Sequence, residues 1–181
     1  MKIYIIIGIL ALITLWITTT YNKLITFGER VNNAKAQIGA QLESRWDAIK
    51  SLIDATKHYS KHEADILQGV TDSRASIGQN STIADIERDA EKLDSVVTRL
   101  LAVSENYPDL KSSEVYKKTM ENIDKYENNV RESRMIYNDI VNRYNRKLRV
   151  FPSNIIASIF GFKSKDYFQV TESKEEMPSW N

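Results

Sequence analysis

The chain has no cysteine among its 181 residues. That excludes disulfides, thiolate metal sites, cysteine nucleophiles and attachment of a lipid through an N-terminal lipobox cysteine. Glycine and proline are scarce, at six and three residues, so a predominantly helical chain is the economical reading. Neither sign of charge dominates: 25 lysines and arginines face 24 aspartates and glutamates. No overall field therefore draws the molecule to nucleic acid, and any steering has to be local. No serine stands in a GxSxG or SxxK setting, and no glycine-rich loop can cradle a phosphate. The chain reads as a non-enzyme that needs no cofactor.

What is present begins with IYIIIGILALITLWITTTYN, twenty uncharged residues between Lys2 and Lys23. At 1.5 Å per residue they reach about 30 Å, the thickness of a bilayer's hydrocarbon core. Tyr4 at one end, and Trp16 and Tyr21 near the other, suit interfacial positions. The alternative is a cleaved signal peptide, with Lys2 as its charged region and Ile3 to Ile17 as its apolar region. It lacks a cleavage site, because Thr18, Thr19, Thr20 is a poor substitute for Ala-x-Ala. The expectation is a retained anchor over residues 1–22 that meets membrane lipid through residues 3–22. Lys23, Arg30 and Lys35 after the span, against Lys2 and the α-amino group before it, favour a cytoplasmic soluble side in a single-pass cell-membrane protein.

Beyond the span the apolar or small positions Leu24, Phe27, Val31, Ala34, Ile38, Leu42, Ile49, Ile53, Thr56, Ile66 and Val70 fall mostly in steps of three and four. They form one stripe on a helix that flows out of the anchor and stops near Gly78. A second helix opens at Thr82 with a capping box to Asp85, carries the stripe Ile83, Ile86, Ala90, Leu93, Val97, Leu100 and Leu101, and ends at Asn106 and Tyr107 before Pro108. A third starts near Ser112 or Ser113 and runs to Val150. Its series Tyr116, Ile123, Val130, Tyr137, Tyr144 and Phe151 repeats every seven residues, with Met120, Val141 and Leu148 on the other half of the seam. Glu127 and Arg134 interrupt that second half, which argues for an intramolecular bundle rather than a long coiled-coil dimer. The fold class is all-α: a transmembrane helix, an antiparallel bundle of three long helices over residues 23–168 with a short C-terminal helix docked on its end, and a flexible tail over 169–181.

Lengths predict a climb of about 85 Å, a return of about 36 Å and a second climb of about 58 Å, leaving the third helix to overshoot by about 20 Å at the end far from the membrane. Ile155, Ile156, Ile159, Phe160 and Phe162, folding back after Pro152, are expected to cover the overhanging Tyr144, Leu148 and Phe151. The basic run Arg131, Arg134, Arg143, Arg146, Lys147 and Arg149 is then a solvated face well clear of the bilayer. His58 and His62 are four apart, a spacing that can present two imidazoles to zinc. HYSKHE is not HExxH, however, and no third ligand is identifiable.

LLAVSENYPDLK (Leu100 to Lys111), YNDIVNRYN (Tyr137 to Asn145) and FPSNIIASIFGFK (Phe151 to Lys163) resemble the LemA family of bacterial single-pass membrane proteins, as do SRWDAIKSLI (Ser44 to Ile53) and KHYSKHE (Lys57 to Glu63) more weakly. Lys50-Ser51 stand where the family commonly has Pro-Asn, and only His62 of the two histidines matches a family position. The resemblance implies an N-terminal anchor, an antiparallel helical bundle, no established activity and a protein partner, with a membrane metalloprotease as one candidate because the two often neighbour each other in genomes. A relative helps to organise an intracellular membrane organelle. The expected function is therefore a membrane-anchored, non-catalytic helical module that presents a surface to protein partners. A metal-dependent hydrolase or metal-binding protein using the His58/His62 face is the alternative.

Overall fold

The computed structural model describes residues 1–59, 61, 65, 69 and 81–168. Helix α1 (Lys2–Thr56) is unbroken from the anchor into the bundle, about 80 Å along its axis. Its N-terminal part is long and apolar enough to cross a membrane and is not buried against the rest of the protein. The hydroxyls of Thr14, Thr18 and Thr19 donate to the carbonyls of Leu10, Thr14 and Leu15, each at 2.9 Å. Three polar side chains are thus satisfied within the helix, as a nonpolar surrounding requires.

Beyond α1 follow α2 (Ile83–Asn106), α3 (Pro108–Ser112), α4 (Glu114–Arg149) and α5 (Ser153–Ile159); residues 61, 65 and 69 are helical as well, and no strand occurs among the described residues. The expected start of α2 is observed: the Thr82 hydroxyl accepts from the Asp85 amide at 3.2 Å, and the Asp85 carboxylate accepts from the Thr82 amide at 2.9 Å. Tyr107 closes α2, and Pro108 opens the extra single-turn helix α3 at a position where its missing N–H costs nothing. Ser113 caps α4 by accepting from the Tyr116 amide.

Two expectations about the first helix and the bundle are corrected. The helix does not run regularly to Gly78, which lies outside the described residues together with Ile66 and Val70. It ends at Thr56: the Lys57 amide is shared between the Ile53 and Asp54 carbonyls, and the amides of His58 and Tyr59 reach carbonyls three residues back, Ala55 and Thr56. The second correction concerns direction. Lys35 donates to the Ser81 carbonyl, Trp46 to Asp89 and Arg45 to Asp94, so α2 begins low on α1 and climbs parallel to it. Asn129 meets Gln41, Glu127 meets Arg45 and the Tyr144 ring faces Gly28, so α4 runs antiparallel to both. Both directions are the reverse of those expected. The C-terminal end of α4 therefore stands beside the anchor, not far above it.

The core runs between α1, α2 and α4. Val31, Ala34, Ile38, Leu42, Ile49 and Ile53 of the expected stripe are buried, as are Ile86, Ala90, Leu93 and Leu100 of α2 and Tyr116, Ile123, Val130, Tyr137 and Tyr144 of the heptad series. Leu101 is exposed and Val96 takes an inner place beside the partly buried Val97. Both interruptions of the heptad have partners. Arg45, only 4 % exposed, donates to Asp94 at 2.8 Å and to Glu127 at 3.0 Å, tying all three helices together. Arg134 lies over the Phe168 ring, 5.5 Å from its centroid.

Candidate functional site

The segment after Pro152 folds back as expected, but at the other end of the bundle. Ile156 and Ala157 are buried against Leu24, with Ile17, Tyr21, Leu148 and Phe162 packed around them. The Ser153 hydroxyl lies 2.6 Å from the Lys147 carbonyl and 2.8 Å from that of Val150, covering the open end of α4. Helix α5 stops in a Schellman turn: the Phe162 amide reaches the Ala157 carbonyl at 2.9 Å and the Gly161 amide reaches Ser158 at 3.3 Å. Gly161 takes φ 70°, which a residue with a Cβ adopts only under strain. The turn throws both flanking rings toward the anchor. Tyr21 lies 4.8 Å from Phe160 and 5.7 Å from Phe162, centroid to centroid.

Of the five residues expected to cover α4, Ile156 is core and Phe162 is half-buried, whereas Ile155, Ile159 and Phe160 are 45 %, 70 % and 52 % exposed. Phe151, the last member of the heptad series, is 74 % exposed. The physical reason is geometric. Helix α5 is two turns long, so only one side of it can face Leu24 and Leu148, and the other side carries Ile155 and Ile159 outward.

After the Schellman turn, residues 162–168 form an irregular strap that runs back along α4. Two asparagines hold it. The Asn145 side chain accepts from the Lys165 amide and donates to the Lys165 carbonyl, both at 2.9 Å. Asn138, two helical turns away, does the same for Phe168 at 2.9 and 3.0 Å. Each carboxamide replaces a peptide partner for one strap residue. The Tyr137 hydroxyl donates to the Asp166 carbonyl at 3.0 Å, and the Tyr137 and Phe168 rings meet edge to face at 5.0 Å. Burial, then the charge of Asp166, pushes the Tyr137 phenol up to about 12. Burial also lowers the Arg134 pKa, an effect that Glu87 and Asp94 oppose and Arg45 adds to.

The basic run is relocated by the same reversal. Arg146 and Arg149 are exposed in the last turn of α4, with the Lys147 ammonium 5.3 Å from the Phe27 ring centroid. Lys23 on α1 and Lys163 and Lys165 on the strap are exposed at this end too. Arg143 pairs with Asp139 at 2.9 Å. The expectation that Arg143, Arg146, Lys147 and Arg149 lie at the end of the bundle far from the apolar segment is overturned: they flank the point where α1 leaves that segment.

The model of the LemA family matches residues 34–181. The chain belongs to the LemA family. Relatives of this LemA chain include the magnetosome proteins MamQ 1 and MamQ 2 of Paramagnetospirillum magneticum, each 23 % identical over 175 residues that cover 82 % of the chain and 64 % of the relative. The chain thus spans less than two thirds of those proteins. Protein LemA of Metamycoplasma hominis is 24 % identical over 156 residues, covering 83 % of the chain and 69 % of that protein.

The three stretches that carried the LemA resemblance most strongly gather at two corners. LLAVSENYPDLK makes the turn from α2 through α3, where the Tyr116 hydroxyl donates to Ser104 at 2.8 Å. YNDIVNRYN supplies Tyr137, Asn138, Tyr144 and Asn145, and FPSNIIASIFGFK supplies α5 and its turn. The strap contacts were missed in the sequence although their signal is there: Asn138 and Asn145 repeat at seven residues, each directly following a buried tyrosine. His58 is exposed in the turn after α1, and His62 lies outside the described residues. Among the described residues no group of three His, Cys, Asp or Glu side chains could hold a metal ion.

Proposed function

We propose that this LemA chain is a membrane-tethered, non-catalytic helical module whose bundle is presented to protein partners, on the cytoplasmic side of a cell membrane. One observation carries the reading: α1 is a single helix from Lys2 to Thr56, so the bundle has a rigid stem and a fixed stance over the anchor. Exposed Leu101, Val115, Met135 and Ile136 offer apolar contacts on the bundle itself. The magnetosome names of two relatives fit a role at a membrane assembly, and the resemblance to LemA proteins, which often neighbour membrane metalloproteases in genomes, makes such a protease the first partner to try.

The test is site-specific photocrosslinking in native membranes, with the photoreactive residue at Met135, 64 % exposed, or at Ile123, which is fully buried. A discrete adduct from position 135 and none from position 123 is expected. Equal, diffuse labelling from both would overturn the reading. Metal analysis of the full-length protein checks the rival chemistry: stoichiometric zinc that disappears in His62→Ala would replace this proposal with a metalloprotein.

A further inference from the structure

We propose that the α5 turn is a second membrane contact: the outer side of residues 150–160 seats in the headgroup region of the bilayer that the anchor crosses, and the surrounding lysines and arginines select anionic lipid. Depth supplies the first argument. Helix α5 packs on Ile17 and Tyr21, both inside the uncharged run that ends before Lys23. Ile17 lies about 9 Å along α1 on the membrane side of Lys23. A short helix resting on that level is at the height where chain leaves lipid for water.

Surface chemistry supplies the second. Val150, Phe151, Ile155, Ile159 and Phe160 are 48 %, 74 %, 45 %, 70 % and 52 % exposed. A contiguous apolar patch of this kind is unusual on a face meant for water. It adjoins α1 at Tyr21, and farther along the same helix Leu12, Leu15 and Trp16 are 68 %, 62 % and 37 % exposed. Phe160 joins the two surfaces through Tyr21. The occupant that covers the anchor's surface is therefore adjacent to this patch without any further assumption.

Charge supplies the third. Exposed Lys23, Arg146, Arg149 and Lys163 stand at this end of the bundle with the patch, and the exposed acid beside them on α1 is Glu29. An apolar wedge within a basic fringe is the pattern of an interfacial segment on anionic lipid. The arrangement does not span: α5 has seven residues, far short of what a crossing needs. It lies on the surface, beside a helix that crosses.

The absence of cysteine makes the test direct. Ile159→Cys and Phe151→Cys each create one site for a spin label, and Met135→Cys, about 20 Å from the end of α4, is the water reference. Full-length labelled protein is reconstituted in phosphatidylcholine vesicles with or without phosphatidylglycerol, and circular dichroism verifies that helix content is kept. Labels at 151 and 159 are expected to lose collisions with a water-soluble nickel chelate and gain them with oxygen, while the label at 135 does the reverse. The loss should be larger with phosphatidylglycerol, and Arg146→Glu with Arg149→Glu should abolish that difference. Labels at 151 and 159 as open to nickel as that at 135 would overturn the proposal. So would protection seen only in native membranes, which would assign the patch to a protein. Indifference to phosphatidylglycerol would overturn the role of the basic fringe.

Discussion

Ile156 and Phe160 stand four residues apart and differ in what they touch. Ile156 is 2 % exposed against Leu24, whereas Phe160 leans on Tyr21 with half its surface open. Ile156→Ala should therefore destabilise the protein by about 2–5 kcal/mol through lost transfer energy and a cavity. Phe160→Ala should cost about 1 kcal/mol or less, and thermal melting of both variants in detergent decides the order. Tyr137 makes a prediction in pH. Its phenol is pushed up to about 12 from an ordinary 10.0, so the folded state favours the neutral form. The stabilisation is complete below pH 10 and is lost as pH rises through the folded value. Titration of tyrosinate absorbance should show a late step that Tyr137→Phe removes.

At the scale of elements, the strap depends on two side chains rather than on a ladder of its own. Asn145→Ala removes two hydrogen bonds from Lys165, and Asn138→Ala removes two from Phe168. Amide exchange at Lys165 and Phe168 should accelerate in the respective variants, by roughly the 10-fold that about 1–2 kcal/mol of lost bonding implies. Exchange in α4 should stay as slow as before. Helix identity was legible from the chain because Thr82, Pro108, Ser113 and Pro152 are strong local punctuation, and the buried stripes follow a helical period. The strap was not, because an extended segment held by asparagines has no period of its own. The end of α1 was not legible either. Thr56 and Lys57 carry no glycine or proline signal, and the turn appears only as a shift of amides from the fourth to the third carbonyl back. By Ser81 the chain is back beside Lys35, which reverses the direction of α2 and α4, and with them the place assigned to α5 and the basic run. Their apolar and basic character was legible; their height was not.

For the whole molecule, a retained anchor predicts that full-length protein stays in the membrane pellet after an alkaline wash with its N-terminus intact. A soluble chain beginning near Thr20 would identify the first residues as a cleaved leader. The unbroken passage of α1 from its apolar N-terminal part into the bundle has a mechanical meaning. About 50 Å of stiff rod separates Lys23 from Thr56. Transmembrane helices tilt to match bilayer thickness, commonly by tens of degrees. A change of about 10° at the anchor would sweep the far end of this rod sideways by roughly 9 Å. The molecule is in that sense a lever, with its fulcrum at the Tyr21 level, where Phe160 and Phe162 lean on the shaft.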